Sequence, residues 1–168
     1  MEILKNLRTN LIVDNAILIA LYVTLSLITY PISFGPIQFR FAEILILLVF
    51  FRKDFTIGLV LGCAIVNIAS FSPFDIIFGS LATLLSCVVL MFSKHLIIGM
   101  LAPIVFNAFI IGFELNIIVG EPLWFTIGSI AIGEAVVMVC GYVLFMVLKR
   151  RKTFFSFIKA NQNLDFKI

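Results

Sequence analysis

Six apolar stretches, residues 15–32, 36–51, 55–71, 74–92, 96–119 and 123–148, follow one another with only a proline, a glycine or a short charged cluster between them. Nothing else in the chain constrains its fold as strongly. An aqueous domain holds about 45–50% apolar and about 25% charged residues. Here the values are 62% and 12%, so a water-soluble globule is excluded. The pattern predicts an all-α membrane protein, a six-transmembrane-helix bundle. A chain of 168 residues leaves no length for a separate soluble catalytic domain.

The longer stretches cross a hydrocarbon core of ~30 Å with residues to spare. The second and third, 16 and 17 residues, sit at the short limit. Pairing them as a re-entrant hairpin would bury Arg52, Lys53 and Asp54 near mid-bilayer at about 2.5–3.5 kcal/mol each. Two full crossings cost less.

Basic residues test the count. Six crossings with the N-terminus inside put Lys5, Arg8, Arg52, Lys53, Lys94, Lys149, Arg150, Arg151, Lys152, Lys159 and Lys167 on one side and only Arg40 on the other. That asymmetry predicts cytoplasmic termini, with the connections near 31–40, 70–75 and 119–123 facing outward. The net charge of +3 reflects this bias and attraction to anionic lipid, not a nucleic-acid footprint. The first span is too long for a cleavable signal, and no small-x-small site follows it. Three segments result: an interfacial segment 1–12, a substrate-binding membrane domain 13–150, and a basic cytoplasmic tail 151–168. The tail either lies on the inner surface or frays.

Ionisable and amide side chains inside the apolar stretches are costly in hydrocarbon and mark function. They are Glu43, Glu114 and Glu134, with Gln38, Asn67 and Asn107. All fall in the outer half or near the midplane. Asn107 and Glu114 are seven apart and share a helix face, with Pro103 one turn before Asn107. Cys63, Asn67 and Ser70 share another. Each Asn alone could equally tie two helices together; the three glutamates together point to a cavity opening outward.

The outer half carries Arg40 against Glu43, Asp75, Glu114, Glu121 and Glu134. Such an acidic cup suits a cation or a ligand rich in N–H donors. Asp75 has a competing role, because Ser72-Pro73-Phe74-Asp75 has the form of a capping box with proline at N1. Glu121 reads as a solvated, dipole-compensating residue. Cys63, Cys87 and Cys140 lack metal or disulfide spacing and read as packing residues, and His95 as a loop residue. No nucleotide-binding, redox or metal motif is present, and no cofactor is expected. Gly58-x-x-x-Gly62 is a helix-packing signal, as is the stripe Ala16-x-x-x-Ala20 with Thr24 on the first helix.

The run Ile32-Ser33-Phe34-Gly35-Pro36-Ile37-Gln38-Phe39-Arg40-Phe41-Ala42-Glu43 is the most specific pattern in the chain. With Gly58-x-x-x-Gly62-Cys63 to Asn67, Asp75 to Leu85, Asn107, Gly112-Phe113-Glu114 and Gly133-Glu134 in order, residues 12 to 150 resemble the QueT family. That resemblance implies the substrate-binding S component of an energy-coupling factor (ECF) transporter, an ABC-type importer in the cell membrane. The implied solute is a queuosine precursor, 7-aminomethyl- or 7-cyano-7-deazaguanine. The implied partners are a transmembrane coupling subunit and two ATPases, reached through Ala16 and Ala20.

On this basis Glu114 and Glu134 are expected to accept from the base edge or ammonium, with Gln38, Asn67 and Asn107 orienting it, and Arg40 pairing Glu43. Asp75 completes the acidic set. Phe34, Phe39 or Trp124 is expected to stack on the ring. Competing readings are an S component for another vitamin, a stand-alone carrier, and an intramembrane enzyme using two glutamates as acid and base. The last lacks a metal or nucleophile.

Overall fold

The structure, a computed structural model, describes residues 2–33, 38–68 and 73–163. Its helices in chain order are α1 (Glu2–Ile28), α2 (Tyr30–Ser33), a 3₁₀ helix (Phe41–Phe50), α3 (Phe55–Ile68), α4 (Phe74–Phe92), α5 (Leu96–Ile118), α6 (Leu123–Lys149) and α7 (Lys152–Phe157). No strand occurs among the described residues. Sequence neighbours pack together: α3 on α4, α4 on α5, α5 on α6, with α1 against α3. The 3₁₀ helix touches α1, α3, α4, α5 and α6, and so forms the central rod of the bundle.

Among the described residues, four helices are long and apolar enough to cross a membrane: 10–28 of α1, then α4, α5 with Val119, and α6. The chain is therefore a multi-pass membrane protein by length and composition. The second and third apolar stretches form shorter elements, Phe41–Phe50 and α3. An α-helix was expected over 36–51. Instead Arg40 leaves the helical region (φ −83°, ψ 75°) and the helix that follows is 3₁₀. The rod is surrounded on all sides, so Ile46 through Phe51 are buried without interruption and no amphipathic period is visible. A 3₁₀ helix rises about 2.0 Å per residue against 1.5 Å for an α-helix. Ten residues thus reach about 20 Å rather than about 15 Å.

The Gly58-x-x-x-Gly62 signal is realised as α1 on α3. Asn15 Oδ1 accepts from the Gly58 N–H at 2.8 Å, and Tyr22, seven residues on, lies against Gly62. No break separates the interfacial segment from the first span, since α1 is continuous through residue 12.

The described part of the tail, through residue 163, packs on the bundle. Phe154 and Phe155 pack on Phe51, and Phe145 stacks on the same ring at 5.6 Å. Ile158 is buried. Arg52 joins the pieces at this basic end: its Nε and Nη2 donate to Asp54 at 2.9 and 2.6 Å, and its Nη1 donates to Asp14 at 2.7 Å and to the Ile158 carbonyl at 3.2 Å.

Candidate functional site

At the opposite end, Ser33 begins the site. Its hydroxyl bonds the Thr29 hydroxyl at 2.9 Å and donates to the carbonyl of Phe39, the residue before Arg40, at 3.1 Å. Gln38 is held from the other side. A Cβ on Gly133 of α6 would overlap the Gln38 carbonyl, so only glycine lets this backbone approach the residue beside Glu134.

Arg40 Nη1 lies 3.5 Å from Glu43 Oε1, an i,i+3 pair. Glu43 Oε2 accepts from Asn107 Nδ2 of α5 at 2.5 Å. Glu43, Asn107 and Glu134 are fully buried, Glu114 is 2% exposed and Arg40 is 7% exposed. Arg40 is the cation within electrostatic reach of Glu43, Glu114 and Glu134. The structure therefore gathers these residues of the 3₁₀ helix, α5 and α6 around one guanidinium.

The polar bookkeeping is uneven. Gln38 Oε1, Asn107 Oδ1 and both oxygens of Glu114 and of Glu134 are buried with no donor. Each such acceptor costs roughly 1–3 kcal/mol when left unmade. The ionisable neighbour of Glu114 is the Asp75 carboxyl, and two carboxyls bond each other only where one of them carries a proton. Beside Arg40 lies a void of about 10 Å³ lined by Tyr22, Ser26, Ser33, Arg40, Val66 and Asn67. It would take about one water. A larger groove of about 390 Å³ lies at the basic end, between α1, Leu48, Phe55 and the tail. Its walls carry none of the orphaned acceptors.

Other expected residues divide. Asn67 is buried, but its Nδ2 donates to the Asp75 carbonyl at 2.8 Å and contacts Cys63 Sγ at 3.5 Å, so it ties α3 to the start of α4. Asp75 sits half-buried in the first turn of α4. The Ser72 end of its capping box, Ser70 and Phe34 lie outside the described residues. Trp124 is 77% exposed. Phe39 is half-buried and stacks on Phe41 at 6.5 Å. Cys140 is exposed, contrary to its reading as a packing residue, whereas Cys63 and Cys87 are buried. Tyr22, buried on α1 and close enough to Arg40 to interact with it, was not anticipated. Its signal was the i+7 spacing from Asn15 on the face that meets Gly58 and Gly62.

The family described as the QueT transporter matches residues 12–150. The chain is 35% identical over 164 residues, 88% of this chain and 97% of the relative, to the Queuosine precursor transporter QueT of Lactococcus lactis subsp. cremoris (strain MG1363). This chain belongs to the QueT family. It is a transporter, not an enzyme. No solved structure matches it.

Proposed function

We propose that the chain is the substrate-binding S component of an ECF transporter in the cell membrane, importing a queuosine precursor. One observation carries the reading of the site. Near Arg40, the buried oxygens of Gln38, Glu43, Asn107, Glu114 and Glu134 that lack a hydrogen bond are acceptors, and Arg40 answers one of them, Glu43 Oε1, by an ion pair at 3.5 Å. The missing partner is a molecule rich in donors. The relative's printed name supplies the class, and a 7-deazaguanine has an N1–H and an exocyclic NH₂ on one edge, which one carboxylate accepts together. An aminomethyl substituent adds a cation and suits the acidic set better than a cyano group does.

The base is larger than the void beside Arg40, so the elements around that void separate to admit it. In this reading the 3₁₀ helix and α3 complete six crossings. The ten 3₁₀ residues reach about 20 Å, and the residues on either side of them complete the crossing. Both termini are then cytoplasmic by the charge bias. Ala16 and Ala20 are exposed on α1, where small side chains admit a close helix approach by a coupling subunit. The ATPases that drive import join through that subunit.

Equilibrium binding of the two bases to purified protein tests the site. The aminomethyl base should bind more tightly, and Glu114→Gln and Glu134→Gln should each weaken it by about tenfold or more. Tighter cyano binding that ignores both substitutions would refute the acceptor assignment. Copurification without a coupling subunit or ATPases would refute the S-component assignment alone.

A further inference from the structure

The basic end of the 3₁₀ helix is finished by a segment 113 residues away. Gln162 Nε2 donates to the Val49 carbonyl at 2.9 Å and Asn163 Nδ2 to the Phe50 carbonyl at 2.7 Å. The N–H groups of Asn161 and Gln162 both donate to the Phe51 carbonyl, at 3.2 and 3.3 Å. These carbonyls belong to the terminal turn, where a helix runs out of its own donors. The tail that brings the donors is itself pinned, by Arg52 on the Ile158 carbonyl and by Lys159 on Asp14 at 3.2 Å. Two non-glycine residues adopt left-handed backbone to complete the turn, Lys159 (φ 50°) and Asn163 (φ 52°). That conformation is unfavourable for lysine and persists where contacts hold it.

The other end of the same helix begins at Arg40 and carries Glu43 in its first turn. A 3₁₀ run beyond three or four residues is uncommon, because the α-form has better hydrogen-bond geometry. This one runs for ten. Relaxation to the α-form would shorten it by about 5 Å. With Phe50 and Phe51 locked in the aromatic cluster, that change would be felt at the Glu43 end.

We propose that Gln162 and Asn163 are positioning residues for the Arg40–Glu43 site. From the C-terminal tail they cap the buried rod, and so set the depth at which Glu43 meets Asn107 and the solute. The claim rests on reading that site as the substrate site. It links the inner face of the protein to the outer cup through one element.

The test uses the full chain in lipid nanodiscs, with hydrogen exchange read at amides 42–50 and binding of 7-aminomethyl-7-deazaguanine read separately. The isosteric pair Gln162→Glu with Asn163→Asp removes both side-chain donors and keeps shape. It should speed exchange in 42–50 by about tenfold or more while α4 and α5 stay as they were, and weaken binding by about tenfold. Gln162→Arg keeps donors and should stay within about twofold of the parent in both readouts. Unchanged exchange in 42–50, an equal rise across α4 and α5, or faster exchange with undiminished binding would each overturn the proposal. If the parent itself fails to bind the base, the substrate reading falls, and the exchange measurement still decides whether the tail caps the rod.

Discussion

Asn107 on α5 donates its Nδ2 to Glu43 Oε2 on the 3₁₀ helix at 2.5 Å, joining residues 64 apart in sequence, both fully buried. The bond leaves the Asn107 carbonyl oxygen free to accept. A single amide therefore has two different ends, one bonded within the fold and one without a donor. Asn107→Leu removes both, strands a buried carboxylate oxygen and should cost about 1–3 kcal/mol of stability. Thermal unfolding in detergent checks this, and an unchanged midpoint would show that the bond contributes little.

Glu134 behaves in the opposite sense. Both of its oxygens are buried without a donor, so the folded protein gains nothing from them in the absence of ligand. Glu134→Leu should leave stability unchanged or raise it by about 1 kcal/mol while abolishing detectable binding. Loss of both together would mean that Glu134 is a structural residue. The comparison requires only unfolding and binding curves on one preparation.

Gly133 and Gly128 form an internal control on the same helix. A Cβ at Gly133 meets the Gln38 backbone, whereas nothing lies within 4 Å of one at Gly128. Gly133→Ala should push Gln38 and Arg40 out of place, lowering stability by about 2 kcal/mol and binding with it. Gly128→Ala should be neutral, or stabilising by up to about 1 kcal/mol from helix propensity. Equal effects at the two positions would argue against the close approach of Gln38 to α6.

The residues of the site were legible because hydrocarbon makes them conspicuous. Gln38, Arg40, Glu43, Asn107, Glu114 and Glu134 stand out against apolar neighbours whatever the backbone does. Their partners were less legible. Counting helical rise from the outer ends left Glu43 shallower than Asn107, yet a 3₁₀ helix descends faster per residue than an α-helix and brings the two together. The rod itself was hidden by being buried on every side, which erases the periodicity that distinguishes one helix type from another. The folded tail was hidden for a related reason: Gln162 and Asn163 look like solvent-facing polar residues, and their donors matter only because carbonyls far away in sequence lack their own.

The exposed alanine stripe separates binding from transport. Ala16 and Ala20 face outward from α1, while Asn15, Leu18 and Tyr22 of the same helix face the bundle. Ala16→Leu with Ala20→Leu should therefore leave binding to purified protein within about twofold, since no buried contact changes, and should abolish uptake by cells, since bulk on that face blocks helix approach. Uptake that survives both leucines would place the coupling surface elsewhere.

Arg52 offers the sharpest test of how the basic end is held. Its guanidinium makes two bonds to Asp54, one to Asp14 and one to the Ile158 carbonyl, and lies 4.5 Å over the Phe55 ring. A lysine ammonium has three donors on a flexible stem and cannot reproduce a planar fork that meets a carboxylate on one side and two oxygens on the other. Arg52→Lys should consequently be nearly as damaging as Arg52→Met, each lowering stability by about 2–3 kcal/mol, because Asp14 and Asp54 are only about one-fifth exposed, Asp54 loses its cation and Asp14 keeps only the exposed Lys159. Pairing Arg52→Met with Asp14→Asn should recover part of that loss, since the second change removes a carboxylate that the first has left with Lys159 as its remaining cation. A double-mutant cycle on unfolding midpoints measures the recovery. Strict additivity would mean that Arg52 acts through Asp54 and the tail alone, and that α1 is held at this end by its apolar contacts.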